Sequence, residues 1–297
     1  MSRRQLAGFL ALCLIWGSTW AAIRIVVEHV PPLLSVSVRF LLASLILLPV
    51  LLVRRPRMPK GREWGVISTL SLVMIVLPFS LVAWAEQRIS SGTTAILFAT
   101  SPLFTAWMEP HLGNASERRR VPRATHYALW GGLGGVLLVL FGAISLSASQ
   151  VLGVAAVLTV VILGSATATI ARTELRGMPL LTVTTLQCIL AGGVLGVTSL
   201  LLEPRHAATW TSTAVFAMLF LGAVSSAVGF LLFYWLLTEL RPHQVAARQL
   251  LMPVVAIAEG ALLLHEPLPW TMVAGATVVL ASLIVVMKIK EEGELGT

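Results

Sequence analysis

The chain contains no aspartate; all 13 of its acidic residues are glutamate. It is also poor in charge, at 11% Asp, Glu, Lys and Arg, where a soluble domain carries about 25%. Cysteine is nearly absent, with two residues. Each shortage excludes something. Without aspartate, the Asp-rich metal sites of membrane prenyl and phosphatidyl transferases cannot be built. The six histidines (29, 111, 126, 206, 243 and 265) fall in or beside expected loops. A Cys/His metal site is therefore not expected, no cofactor is implied, and a proton relay inside an apolar segment must use Glu or Tyr. Cys13 and Cys188 both lie in apolar segments and read as small buried residues, not a disulfide. A chain so short of charge has too little polar surface to cover a water-soluble globule.

Apolar sequence fills the space instead. Hydrophobic residues make up 57% of the chain, and the mean hydropathy is +0.90. A helix crosses the hydrocarbon core with about 20 mostly apolar residues. That window finds ten expected spans: 5–27, 32–53, 64–85, 91–112, 127–146, 150–171, 179–202, 213–238, 243–265 and 267–288. The expected fold class is an all-α polytopic membrane protein. The basic start before the first apolar run is like a signal peptide. However, the run exceeds the roughly 7–15 residues of a signal core and no A-x-A site follows, so it reads as a first span that stays in place.

The net charge of +8 raises nucleic acid as a partner, and its placement argues against one. RRQ, RRPRMPKGRE, ERRRVPR, ARTELRG, TELRP and KIKEEGE lie on one side of the expected bundle, while the other side holds Arg88 and Arg205. That alternation puts both termini in the cytoplasm by the positive-inside rule. The basic residues anchor topology against the lipid bilayer. Trp64, Trp130, Trp210 and Trp270 fall at span ends, as an interfacial belt requires.

A weak repeat runs through the chain. Gly17-Ser18 matches Gly164-Ser165, and Pro32-Leu33-Leu34 matches Pro179-Leu180-Leu181. Trp84 matches Trp235, Ala95 matches Ala246, Pro102 matches Pro253, Trp130 matches Trp270 and Gly135 matches Gly275. Each half, 1–146 and 147–297, holds five expected spans. Five is odd, so the halves are inverted relative to each other. Such repeats characterise transporters with a solute site near the midplane.

Several motifs carry a family resemblance: WGSTW in the first span, Arg39-Phe40 in the second, GTTAILFATSPLF (92–104) in the fourth, and LLMPVVAIAEGALLLHEPL (250–268) with its helix-ending Glu266. Together they resemble the EamA-type members of the drug/metabolite transporter superfamily, over nearly the whole chain. The resemblance implies a ten-helix exporter of small metabolites, often amino acids. In the first copy, HLGNASE stands where the family carries a Leu-Gly-Glu motif.

The candidate site follows from polar and aromatic residues inside spans. Trp16, Thr19, Trp20 and Ile23 share one helical face, suited to a solute because indole offers an apolar wall, a donor and a π face. Gly17 and Ser18 read either as close-packing residues or as part of that lining. Arg39 is costly in a membrane unless paired or hydrated. It either snorkels or pairs with a helix-end carbonyl, or it meets a substrate carboxylate or forms a gating ion pair. Trp84, Thr100, Gln187, Tyr234 and Gln249 complete the expected lining. Pro102 and Pro253 are either tolerated kinks or paired hinges. Glu259 reads as the deepest acid, with Glu109 its nearest counterpart, and either is a candidate to carry a coupling proton, while Arg248 is expected to reach the cytoplasmic interface. Gly131/Gly135 and Gly192/Gly196 read as packing pairs.

The expected function is export of small zwitterionic or aromatic metabolites, amino acids foremost, by alternating access in the inner membrane, as a monomer. The alternative is proton-coupled efflux of cationic drugs. Three arginines lie within spans, and lysine only as the last residue of the tenth, Lys288, too few cations for a phosphorylated solute. An enzyme is not expected without a nucleophile–base pair or a metal. Nor is a channel, without a charged ring or a carbonyl filter.

Overall fold

Hydropathy sets the lengths of the helices, while hydroxyl, glycine and proline positions set where they bend. The structure, a computed structural model, describes residues 2–112, 123–143, 147–175, 177–204, 208–239 and 248–295. Among the described residues there are ten helical rods and no strand. They are α1 (Arg3–Gly17 and Thr19–Val27), α2 (Pro32–Arg54), α3 (Arg62–Ser71, Leu72–Val76 and Leu77–Glu86), α4 (Ser91–Ala99 and Ser101–Leu112) and α5 (Arg123–Ala143). The second half repeats the count: α6 (Ala148–Glu174), α7 (Leu180–Leu202), α8 (Ser212–Leu219, Phe220–Val228 and Gly229–Glu239), α9 (Arg248–Leu263) and α10 (Trp270–Leu295). Among the described residues, six stretches are long and apolar enough to cross a membrane: Arg3–Val27, Pro32–Arg54, Arg62–Glu86, Ala148–Thr167, Leu180–Leu202 and Ser212–Phe233. His126–Val139, Leu251–Leu263 and Trp270–Val285 are shorter apolar helices. Leu45, Val53, Phe141, Leu201, Phe216 and Leu262 stand exposed along these rods, as residues facing lipid must. Trp64, Trp130, Trp210 and Trp270 are also exposed.

The rods are not straight, which the hydropathy window does not reveal. In α1 the hydroxyls of Ser18 and Thr19 bond back to the carbonyls of Leu14 and Ile15. Such back-bonding competes with the helical ladder and bends it. In α4 the break falls at Thr100, whose N–H and hydroxyl both reach the Leu97 carbonyl. Pro102 follows, and with no N–H it cannot serve the carbonyl four residues back. Its partner Pro253 lies inside a continuous α9. In α3 and α8 the interruption is a π segment, Leu72–Val76 and Phe220–Val228. These two occupy corresponding places in the repeat.

The packing is symmetric about the two halves. The rods α2 and α7, which correspond, lie against each other, and so do α5 and α10. α1 packs on α8 and α9, as α6 packs on α3 and α4. The crossing of α5 and α10 is so close that a Cβ on Gly275 would lie 2.5 Å from the Gly135 carbonyl oxygen. Two matched residues that touch place the pseudo-two-fold axis between them. Gly192 against Leu41, with Gly196 and Gly131 against the hydroxyls of Ser37 and Ser282, are likewise close approaches of neighbouring helices.

Two carboxylates tie the halves at the end opposite the N-terminus. Glu203, after α7, accepts the first free N–H groups of α2, from Leu33 and Leu34, and the hydroxyl of Ser199. Glu266, between α9 and α10, accepts the N–H groups of Ser91 and Gly92 and the Ser91 hydroxyl at the start of α4. Helix N-termini carry unsatisfied donors and partial positive charge, so an acid there is stabilised.

Candidate functional site

The polar centre of the bundle is built on Arg39, on the inner face of α2 and 5% exposed. It does not snorkel. Its Nε donates to Ser226 Oγ at 2.9 Å, and its Nη2 donates to Ser225 Oγ at 3.2 Å. The guanidinium carbon lies 5.0 Å from the Phe79 ring centroid and 5.7 Å from that of Phe40. Those two rings meet edge to face at 5.0 Å. Both serine acceptors come from the π segment of α8.

Donor logic orders the hydroxyls. A guanidinium only donates, so Ser225 Oγ accepts from Arg39 and gives its single proton onward. Thr19 Oγ1 lies 2.7 Å from it and bonds in turn to the Ile15 carbonyl at 3.0 Å. The chain Arg39, Ser225, Thr19, Ile15 is therefore directional. The Ser225 carbonyl, inside the π segment, accepts the Trp16 indole N–H at 3.1 Å. Trp16 also meets Phe233 at 5.1 Å and Phe230 at 6.1 Å.

Each residue of the WGSTW stretch thus has an identified neighbour. A Cβ on Gly17 would stand 2.6 Å from Val255 Cβ, so Gly17 is the point where α9 meets α1. Ser18 Oγ donates to Glu259 Oε1 at 2.6 Å. The bend at Ser18 divides the expected single face: Trp16 and Thr19 address α8, whereas Trp20 lies against Phe98 of α4 at 4.8 Å.

Of the sequence-predicted lining, Trp16, Thr19 and Arg39 converge on Ser225. The others have different neighbours. Trp84 is covered by Arg88, whose guanidinium sits 3.6 Å from the ring centroid. Thr100 is fully buried at the α4 break. The carbonyl of Gln187 accepts the Ser71 hydroxyl across the α3–α7 contact. The side chains of Tyr234, Gln249 and Glu109 lie outside the described residues. Arg248 departs from expectation: its guanidinium folds back over Phe233 at 4.8 Å and Trp16 at 5.4 Å, so cation–π contact holds it against the bundle rather than at an interface.

The order of the acids also needs correcting. Glu259 is only partly buried and is bonded by Ser18. The deepest acid among the described residues is Glu86, at the end of α3, with 0% exposure. Neither of its carboxylate oxygens has a hydrogen-bond partner. Arg24 donates through Nη1 to the backbone carbonyl of Glu86, not to its carboxylate, and through Nε to Glu28 at 2.8 Å. Sequence reasoning set Glu86 at a span end and passed over it. The signal was an acid closing an apolar run beside a second charged residue, Arg88. Ser225 and Ser226 were also missed, although two adjacent hydroxyls inside an apolar helix mark a polar contact.

The family model described as the EamA-like transporter family matches residues 4–112 and 151–288. A Bacillus subtilis protein named as the uncharacterized transporter YoaV is 24% identical over 279 residues, covering 93% of this chain and 94% of that one. The uncharacterized inner membrane transporter YedA of Escherichia coli K12 is 28% identical over 262 residues, covering 84% and 79%. A Salmonella typhimurium protein named as a probable amino-acid metabolite efflux pump is 25% identical over 309 residues, covering 96% and 95%. A crystal structure covering 99% of this chain and 100% of its own superposes with a TM-score of 0.67 at 16% identity, a likeness of fold.

Proposed function

The chain belongs to the EamA-like transporter family, and from that premise we propose that it exports small zwitterionic metabolites, neutral and aromatic amino acids foremost, across the inner membrane. Transport is by alternating access, with the two five-helix halves 1–146 and 147–297 moving about the axis between them and both termini in the cytoplasm. One observation carries the choice of solute. Arg39 is a buried cation whose described bonds go to two neutral hydroxyls and use two of its five N–H donors. A planar, unneutralised guanidinium suits the α-carboxylate of a solute, which it grips in bidentate fashion. Phe40 and Phe79 flank it, and the cluster of Trp16, Phe230 and Phe233 lies on the other side of Ser225; these rings suit an apolar or aromatic side chain. The relative named as a probable amino-acid metabolite efflux pump supports the same class.

The test is counterflow of labelled amino acids in liposomes holding the purified full-length chain. The expected result is saturable exchange of neutral and aromatic amino acids, lost when the solute is offered as its methyl ester and lost in Arg39→Leu. Exchange of organic cations without exchange of any carboxylate solute would overturn the reading.

A further inference from the structure

Among the described residues, Glu86 is a fully buried acid with no hydrogen-bond partner on its carboxylate. An ionised carboxylate held from water without a hydrogen bond is strongly disfavoured. The neutral acid leaves only one donor and one acceptor unpaired, which is the smaller cost. The charges that face Glu86 can be enumerated. Arg24 from α1, Arg39 from α2 and Glu266 from the α9–α10 connection lie within electrostatic reach. α6 packs its Gly153 against the carbonyl of neighbouring Ala85, and α4 approaches this end with Ser91 and Gly92. Arg88, in the turn that follows α3, is turned onto Trp84. Of the two cations in reach, Arg24 is bonded to Glu28 and to backbone, and Arg39 is bonded to Ser225 and Ser226. Glu266 is occupied with the start of α4.

We propose that Glu86 is the proton-carrying residue of this transporter, making export a proton-for-solute exchange. The step is a simple one: the carboxylate takes one proton from water on one side, is buried as the carboxylic acid, and gives the proton up on the other side. The proposal rests on the reading that the solute is an amino acid held through its carboxylate at Arg39. In that reading the solute's ammonium group and the proton are alternative ways of neutralising one carboxylate within reach of the same arginine. They occupy Glu86 in turn, one proton in for one solute out.

Two measurements on the full-length chain test it. The first needs no solute. Difference infrared spectra across a pH series are expected to contain a protonated-carboxyl C=O band that is missing in Glu86→Gln. A wild-type spectrum identical to that of Glu86→Gln at every pH would overturn the proposal. The second uses liposomes with the membrane potential clamped. An interior one pH unit more acidic should raise accumulation of a labelled amino acid about tenfold for one-for-one exchange. Glu86→Gln should keep counterflow, at a higher half-saturating concentration, with no response to the gradient. A gradient response that survives in Glu86→Gln would overturn the proposal. Absence of all amino-acid counterflow in the wild type would instead sink the solute reading, and the infrared arm would still decide the fate of Glu86.

Discussion

Where α1, α2 and α8 meet, the chain places Trp16, Thr19, Arg39, Ser225 and Ser226. At the position related by the repeat, between α6, α7 and α3, it places Leu163, Ala166, Leu186, Met74 and Ile75. The scaffolds correspond closely: both crevices carry a π segment, in α8 and in α3, and both carry a ring at the matched positions Phe230 and Phe79. The chemistry does not correspond. Polar and cationic side chains gather at the first place and apolar ones at the second, although Phe79 of the second also lies against Arg39. Symmetry in this bundle is a property of packing, which allows two equivalent closed states. The polar side chains sit on one side of the axis, so in the proposed function a solute would meet a single oriented site.

The largest expected effect comes from erasing that asymmetry. Arg39→Leu makes the polar crevice resemble its counterpart, and truncating a buried charged partner costs about 2–5 kcal/mol. Counterflow should fall by about 100-fold or more, and adding Leu186→Arg should not restore it. Restoration would mean that the crevices are interchangeable. Next in size is a packing contrast. Gly17→Ala forces a Cβ against Val255, whereas a Cβ on the matched Gly164 has nothing within 4 Å. The first should lower stability by about 1–3 kcal/mol. The second should be neutral or slightly stabilising, since alanine is the better helix former by about 1 kcal/mol. Thermal unfolding in detergent reads both.

A smaller effect sharpens the donor chain. Ser226→Ala leaves Arg39 Nε without its acceptor, at about 1–3 kcal/mol, and should weaken amino-acid exchange about tenfold. Met74→Ala on the apolar side should leave half-saturation unchanged. The smallest is Thr19→Val, which breaks the onward bond from Ser225 but leaves Arg39 both acceptors. A two- to fivefold rise in half-saturation, about 0.5–1 kcal/mol, is expected, with the maximal rate unaltered.

Much of this was legible in the sequence, and the reasons for the rest are physical. Helix length and lipid exposure follow from hydropathy, so ten rods emerge at the expected places. The halves emerge from spaced matches such as Gly135 and Gly275, which prove to touch. WGSTW was readable as a special stretch, and Arg39 as a costly one. What the stretch contacts was not readable, because Ser225 is more than 200 positions from Trp16 and nothing local links them. The bends at Ser18 and Thr100 and the two π segments were also hidden. They come from hydroxyl back-bonding and missing donors, which a hydropathy window averages away. Glu86 was passed over because the apolar window closes at residue 85, and a window along one helix does not register burial by its neighbours.

The two carboxylates that cap helices of the opposite half, Glu203 and Glu266, have a consequence for timing. Each behaves as a clasp whose halves are both polar. When it parts, water takes over the same N–H groups, so the net loss is about 0.5–1.5 kcal/mol per hydrogen bond and not the full strength of the bond in a dry interior. The clasp holds firmly only while water is kept out. Opening at this end is therefore a wetting event, and the first molecules to enter lower the barrier for those that follow. The cycle at that end should slow as water activity is lowered with an impermeant osmolyte, even when nothing at Arg39 has changed.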